Sequence, residues 1–412
     1  MIIRENVLLS ELTTMRLGGP AKFVIDIEKE SEIPEAYAFA KEHNLPTFIL
    51  GDGANTIAHD EGFNGVILRN AIIGINEESN SVELRPYATN EESKSVGSRP
   101  YSMNKESNSV ELRPYATNEE SKLVGSRPYA TNEERNERSS ARDDGPERAS
   151  REPTDLDYHI ITAYGGTTWD DVVDYACKHG LTGIEAMSKI PGTAGAAPVQ
   201  NIGAYGQDIS AVLDHATAYD TSTEQFVTLS HADFGFSYRK SILNTTAKDR
   251  YFIISITLKL EKGEMSRPFY NSIEKYISEH HETDFSPLNI RKIVSTIRAD
   301  KLPDPATTPS AGSFFKNIYL TEEEARQAEQ EGIPVYHGHD GIKINSGWLI
   351  DQAGLKGKLL HGIRINEKAS LVLINESAKS YQDLATARAE IIDAVKSKFG
   401  YTLEQEPMEI PQ

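Results

Sequence analysis

The sequence predicts an α+β protein of several subdomains, and three stretches carry that prediction. The first is an apolar run, PTFIL (Pro46 to Leu50), that leads straight into Gly51-Asp52-Gly53-Ala54-Asn55. The second joins a strand-like segment, YHIITAYGG from Tyr158, to an amphipathic stretch beginning at Thr167. The third places the apolar run SLVLIN (Ser370 to Asn375) before a long final helix. At 412 residues the chain can build two or three domains with proper cores.

Taken in order, residues 1 to about 70 read as a small α/β unit. Ile33 to His43 has the Ala, Tyr and Phe content of a surface helix, with Pro34 acceptable in its first turn. PTFIL is then a buried strand, and VILRN, ending at Asn70, is another. From Ser81 to Asn136 the chain repeats every fourteen residues, with Arg-Pro-Tyr recurring at Arg85, Arg99, Arg113 and Arg127. Each unit is mostly polar, so its few Val, Leu and Tyr side chains cannot offset the entropy of ordering it. A disordered insertion is expected, with HIITAYG continuing where VILRN left off and function surviving deletion of residues 76–153. Thr167 and Asp170 have capping-box spacing, and Trp169, Val172, Val173 and Ala176 fall on one helical face that Gly180 ends. Cys177 sits beside that face as a small core residue. Residues 286–399 form a further α/β unit, whose last helix is capped by Ser380 and Asp383 and stopped by Gly400.

Composition narrows the partners. A net charge of −19 with no compensating basic run argues against nucleic acid or an anionic membrane. One cysteine allows no internal disulfide, and the N-terminus, MIIRENVLLSEL, reads as neither signal peptide nor membrane span. A cytoplasmic protein is expected. His337 and His339, or His280 and His281, lack the spacing of a metal site.

Pro191 to Gly206, PGTAGAAPVQNIGAYG, is the most informative run. Gly, Ala and Thr let a backbone press against a flat rigid ligand without Cβ atoms in the way, and the run has neither helical nor alternating period. Gln200, Asn201 and Tyr205 add a few directional polar groups. A glycine-rich core turn would read the same on composition alone. The run resembles the flavin-binding segment of the MurB family, the UDP-N-acetylenolpyruvoylglucosamine reductases of bacterial cell-wall synthesis. Further runs follow in that family's order: TTMRLGGPA, LGDGAN, FSYRKSI, KLPDP, AGSFFKN and SGWLIDQAGLKG. They span nearly the whole chain except the insertion.

The resemblance implies an FAD-binding fold of the vanillyl-alcohol-oxidase/PCMH type in two subdomains, residues 1–75 and 154–285, interrupted over 76–153. A C-terminal α/β substrate-binding domain (286–400) and a segment returning to the active site (401–412) complete it. It implies FAD and NADPH as cofactors, a UDP-sugar as substrate, the longer form of the family, and a monomer. Reduced flavin N5 would add hydride to the enolpyruvyl methylene carbon, and UDP-N-acetylmuramate would leave for peptidoglycan synthesis. The preference for NADPH rests on the resemblance, since no residue reads the 2′-phosphate.

Site residues carry over one by one. Gly51, Asp52, Gly53, Ala54 and Asn55 would cradle the FAD diphosphate with backbone N–H groups, Ala54 replacing the family's usual Ser. Pro191, Gly192, Thr193, Gln200, Asn201 and Gly203 would line the flavin. Ser313 matches the general acid, Arg239 the catalytic arginine, and Glu406 the catalytic glutamate, with Gln405 where the family has Pro. Glu406 is useful beside a developing dianion only if it holds or shares a proton, so a raised pKa is expected. Tyr205, Tyr270, Lys301, Lys316 and Asn317 match substrate-binding positions, whereas Ala369 replaces a polar residue. Trp348 reads as core packing. The alternatives are a flavin-dependent oxidase of the same superfamily and a flavin-binding protein acting mainly as an interaction module.

Overall fold

The computed structural model describes residues 1–78, 158–338 and 341–410. The fourteen-residue repeat and His339 lie outside the described residues.

Four strands make the first sheet, in the order Ile2–Leu8, Pro20–Ile27, Phe63–Asn70, Thr47–Leu50. The last three are parallel, so the chain must cross over between them. Helix Glu32–Glu42 makes one crossover, burying Ile33, Ala36 and Ala40.

The second sheet is antiparallel, in the order Gln225–Ser230, Leu213–Asp220, Tyr251–Lys262, Tyr158–Tyr164, Ile75–Glu78. Its central strand buries every residue from Phe252 to Leu258, because both faces are covered. Ile253, Ile256 and Leu258 join Trp169, Val172 and Val173 in one core. Phe252 and Ile254 face the first sheet, against Ile25, Val66 and Leu68.

Two sequence expectations change here. VILRN does not continue into HIITAYG: it belongs to the first sheet, and the neighbour of Tyr158–Tyr164 is Ile75–Glu78, with Glu78 opposite Ile160. The short polar run INEE carries no strand signal of its own, and pairing makes it a strand. The Thr167–Asp170 capping box does not form either. Helix Trp169–Lys178 takes Thr168 as its N-cap, with no side-chain cap bond. Thr167 Oγ1 bonds both the N–H and the C=O of Gly74, and Asp170 is held by Arg291 and Lys189. Those longer-range partners outcompete a local cap. Gly180, just past the helix, has φ 71, the left-handed geometry of a stop. Cys177 is buried, which pushes its thiol pKa up.

A third core gathers around residues 311–395, and Met15, Leu17 and Ile57 of the N-terminal part are buried in it. Helix Tyr381–Phe399 has the expected box, with Ser380 and Asp383 each accepting the other's N–H, and Gly400 at φ 77. Trp348 packs against this core beside Phe399. The strand expected over 370–375 forms only as Val372–Asn375, because Ala369 accepts the Val372 N–H and turns the residues before it. Helix Pro287–Lys301, in the stretch read as the start of this unit, packs on Ala186, Phe269 and Ile273. Among the described residues no helix is long and apolar enough to cross a membrane.

The pairing of Ile75–Glu78 with Tyr158–Tyr164 puts the insertion at a hairpin connection and moves its safe boundary. Replacing residues 81–157 by Asn-Gly, a favoured hairpin turn, should leave thermal stability within a few degrees of the parent. Deletion from residue 76 removes the bonds Glu77 makes to His159 and Tyr175. That variant should lose about 2 kcal/mol more in urea unfolding, roughly one per hydrogen bond.

Candidate functional site

Strand Thr47–Leu50 ends in buried Leu50 and delivers Gly51 to Asn55 to a groove between the first two sheets. Across it lie Thr193, Gly195 and Ala196 from the glycine-rich run, with Gly165, Tyr251 and Ile253 below. Gly53 has φ 72, and a Cβ there would lie 2.1 Å from the Leu12 carbonyl oxygen, so only glycine fits. A Cβ on Gly51 would come within 3.1 Å of Thr193 Oγ1. Gly192, at φ 130, opens onto free space beside Pro191. Two side chains tie the loops together. Asn55 Nδ2 donates to Gln200 Oε1 at 2.6 Å. Asp52 accepts the N–H of Ala54 at 3.1 Å; burial pushes its pKa up, against the pull of the Ala54 and Gly192 N–H groups. The Ala54 N–H is thus oriented without a serine hydroxyl.

The run from Pro191 to Gly206 is irregular, with a single 3-10 turn at Ala194–Ala196 and the two-residue strand Gly203–Ala204. Its far end holds Arg239. The guanidinium donates to the carbonyls of Asn201 (3.3 Å) and Gly203 (3.1 Å), and through Nε to Glu406 Oε1 at 3.1 Å. Arg239 itself sits at φ 54, an unusual geometry for a bulky residue and one its three bonds must hold. The Glu406 side chain is 10% exposed. Burial pushes its carboxyl above the ordinary range, and the nearby charges of Arg239 and Lys316 only partly oppose that.

Ser313 closes strand Ser310–Ser313 and is exposed. The next residue, Phe314, accepts the Glu406 N–H at 2.9 Å, so serine and glutamate lie on adjacent extended segments. Lys316 donates its backbone N–H to Glu404, and its ammonium pairs with the Glu404 carboxylate. Asn317 Oδ1 accepts the Ser346 N–H at 3.2 Å. Tyr205 and Tyr270 meet edge to face, ring centroids 5.6 Å apart. Lys301 comes from a different element. It ends helix Pro287–Lys301, and its carbonyl accepts Asn366 Nδ2 in the loop that carries Ala369.

Sequence reasoning missed Arg298. It faces Tyr205, donates through Nη2 to the Lys189 carbonyl at 3.1 Å, and has a buried Nε without a protein partner. The signal was there: Arg298 precedes Lys301 by three residues on one helix, hence on the same face. His337 approaches only Glu329, and no group of three metal-ligating side chains occurs among the described residues.

These residues fit a flat dinucleotide with an anionic link: two bare backbones, at Gly51 and at Thr193 to Ala196, face each other across the groove. FAD has that form. Residues 150–228 match the FAD binding domain family, and residues 304–410 match the UDP-N-acetylenolpyruvoylglucosamine reductase C-terminal domain. The fold and the cradle therefore define an FAD-binding oxidoreductase. The reductase of that name from Alcanivorax borkumensis is 37% identical over 256 residues, 61% of this chain and 74% of the relative. That of Neisseria gonorrhoeae is 38% identical with the same coverage. The crystal structure of the Thermus caldophilus reductase superposes with a TM-score of 0.57 at 20% identity, covering 100% of both chains, and shares the fold. The chain belongs to the UDP-N-acetylenolpyruvoylglucosamine reductase (MurB) family, the flavoproteins that use FAD and NADPH to make a peptidoglycan precursor.

The raised carboxyl of Glu406 has a stability signature. Between the unfolded value of about 4.3 and the higher folded value, the folded state binds more protons. Its contribution is therefore favourable at low pH and is lost as pH rises through that window. Glu406→Gln keeps the shape without the charge. It should melt higher than the parent at pH 8 and no higher below about pH 4, where both states are protonated. Melting curves at the two pH values decide this, and an equal shift at both would contradict it.

Proposed function

We propose that this chain reduces UDP-N-acetylglucosamine enolpyruvate to UDP-N-acetylmuramate with FAD and NADPH. The observation that supports the reading best is the Arg239–Glu406 pair, bonded through the Phe314 carbonyl to the segment that carries Ser313. Bound FAD would supply the redox chemistry, passing hydride from NADPH to the enolpyruvyl methylene carbon.

The chain's own residues do the rest. Arg239 has Nε and both terminal nitrogens already oriented, so its fork meets the substrate carboxylate without reorganising as negative charge grows there. Burial pushes the Glu406 carboxyl up, which favours its holding or sharing a proton as charge grows on that carboxylate. Ser313 donates its hydroxyl proton to the carbon next to the reduced one, and the Lys316 ammonium lies on the same segment. Tyr205 and Tyr270 pack over the UDP portion, with Lys301, Lys316, Asn317 and Arg298 supplying charge and hydrogen bonds to it. Gly51 to Asn55 hold the FAD diphosphate. Pro191, Gly192, Thr193, Gln200, Asn201 and Gly203 hold the flavin end. One chain supplies every group, and we take the protein to act as a cytoplasmic monomer.

The two half-reactions separate the roles. In Ser313→Ala, bleaching of the 450 nm flavin band by NADPH should keep its rate. Recovery on adding the enolpyruvyl sugar should slow ~10²–10⁴-fold, the usual cost of losing a general acid. Anaerobic stopped-flow absorbance measures both, and equal slowing of the two would overturn the assignment.

A further inference from the structure

We infer that Arg388 and Gln405 are positioning residues that hold Glu406 in register with Arg239. The inference rests on the role proposed for Glu406 and concerns how that side chain is kept in place.

Glu406 sits where an extended segment changes partner. On one side the Lys316 N–H donates to the Glu404 carbonyl and the Glu406 N–H donates to the Phe314 carbonyl, both at 2.9 Å. On the other, Met408 and Ile410 donate to the carbonyls of Asn55 and Ile57 at 3.0 and 2.9 Å. The turn between has little backbone support. Pro407 has no N–H, and among the described residues the Gln405 N–H has no backbone acceptor.

Side chains close the gap. Gln405 Nε2 donates to the Pro407 carbonyl at 2.8 Å, spanning Glu406. Gln405 Oε1 accepts from Arg388 Nη1 at 2.5 Å, and the same nitrogen donates to Glu409 Oε1 at 2.6 Å. Arg388 therefore grips the residue before Glu406 and the third residue after it. Glu409 is held in turn by the Tyr381 hydroxyl (3.1 Å) and by His59 Nε2 (3.0 Å), whose ring stacks on Tyr381 at 3.8 Å. Arg388 and Tyr381 lie on helix Tyr381–Phe399, so a helix outside the site sets the turn. Loosening that turn would move Glu406 relative to Arg239, while the bonds from Met408 and Ile410 still hold the segment's other end on the Asn55–Ile57 stretch beside the groove.

Three variants test this: Arg388→Met, Gln405→Ala, and Arg388→Met combined with Gln405→Pro. In the first two, flavin bleaching by NADPH and bound FAD should be unchanged, while recovery with the enolpyruvyl sugar slows about tenfold, as expected for a small misplacement. In the third, the proline ring stiffens the turn without sacrificing a backbone bond, and recovery should return to within about twofold of the parent. A merely structural role would not give that rescue. Slowing of both half-reactions alike, wild-type rates in Gln405→Ala, or no rescue would each overturn the inference. Should Arg388→Met fail to fold, Gln405→Ala decides alone. Glu406→Ala run in parallel keeps the two readings apart. If it leaves sugar reduction fast, the role of Glu406 is wrong; if it is slow while the clamp variants are fast, only the positioning is wrong.

Discussion

The segment from Glu404 to Ile410 is the tie on which the site depends. Backbone hydrogen bonds join it to two parts of the chain remote in sequence. One is the Phe314–Lys316 stretch beyond Ser313, the other the Asn55–Ile57 strand just past the glycine loop. Thr14 makes a second link: its N–H donates to the Gly53 carbonyl at 3.2 Å, its carbonyl accepts the Ser310 N–H at 3.1 Å, and its Oγ1 donates to the Ser310 carbonyl at 2.6 Å, with Met15, Leu17 and Ile57 packed nearby. Hydrogen bonds fix direction where apolar contacts fix only proximity, and reduction at a single carbon needs direction.

Electrostatics follow from the same geometry. A protein of net charge −19 that handles a dinucleotide, a nicotinamide cofactor and a UDP-sugar must attract anions locally. The cations proposed for that task are few and partly buried: Arg239 with its nitrogens already bonded, Arg298 beside Tyr205, and Lys316 against Glu404. Backbone N–H groups of the glycine loops add attraction without adding formal charge. Burial pushes the Glu406 carboxyl up in the same region, against the pull of the Arg239 and Lys316 charges.

Much of this was legible from local pattern. Strand Thr47–Leu50 announced itself by an apolar run, helix Trp169–Lys178 by its apolar face, and helix Tyr381–Phe399 by its capping box, with Gly180 and Gly400 in the left-handed geometry that ends helices. Where local signals failed, a long-range partner had won. Thr167 gave up its cap for Gly74, INEE became a strand only beside Tyr158–Tyr164, and helix Pro287–Lys301 found its core on Ala186 and Phe269.

By itself the sequence determined the ingredients: the bare glycine loops, the residue types able to hold protons and anions, and an acidic balance with a net charge of −19. Those depend on side-chain chemistry and backbone permissiveness, which are local properties. Only the tertiary structure decided that Glu406 reaches Arg239 at 3.1 Å, that Asn55 meets Gln200, and that Arg388 grips Gln405. Such pairings join residues as many as 167 positions apart, and no periodicity or spacing encodes them. They follow from how sheets and helices close around shared cores, a property of the whole chain.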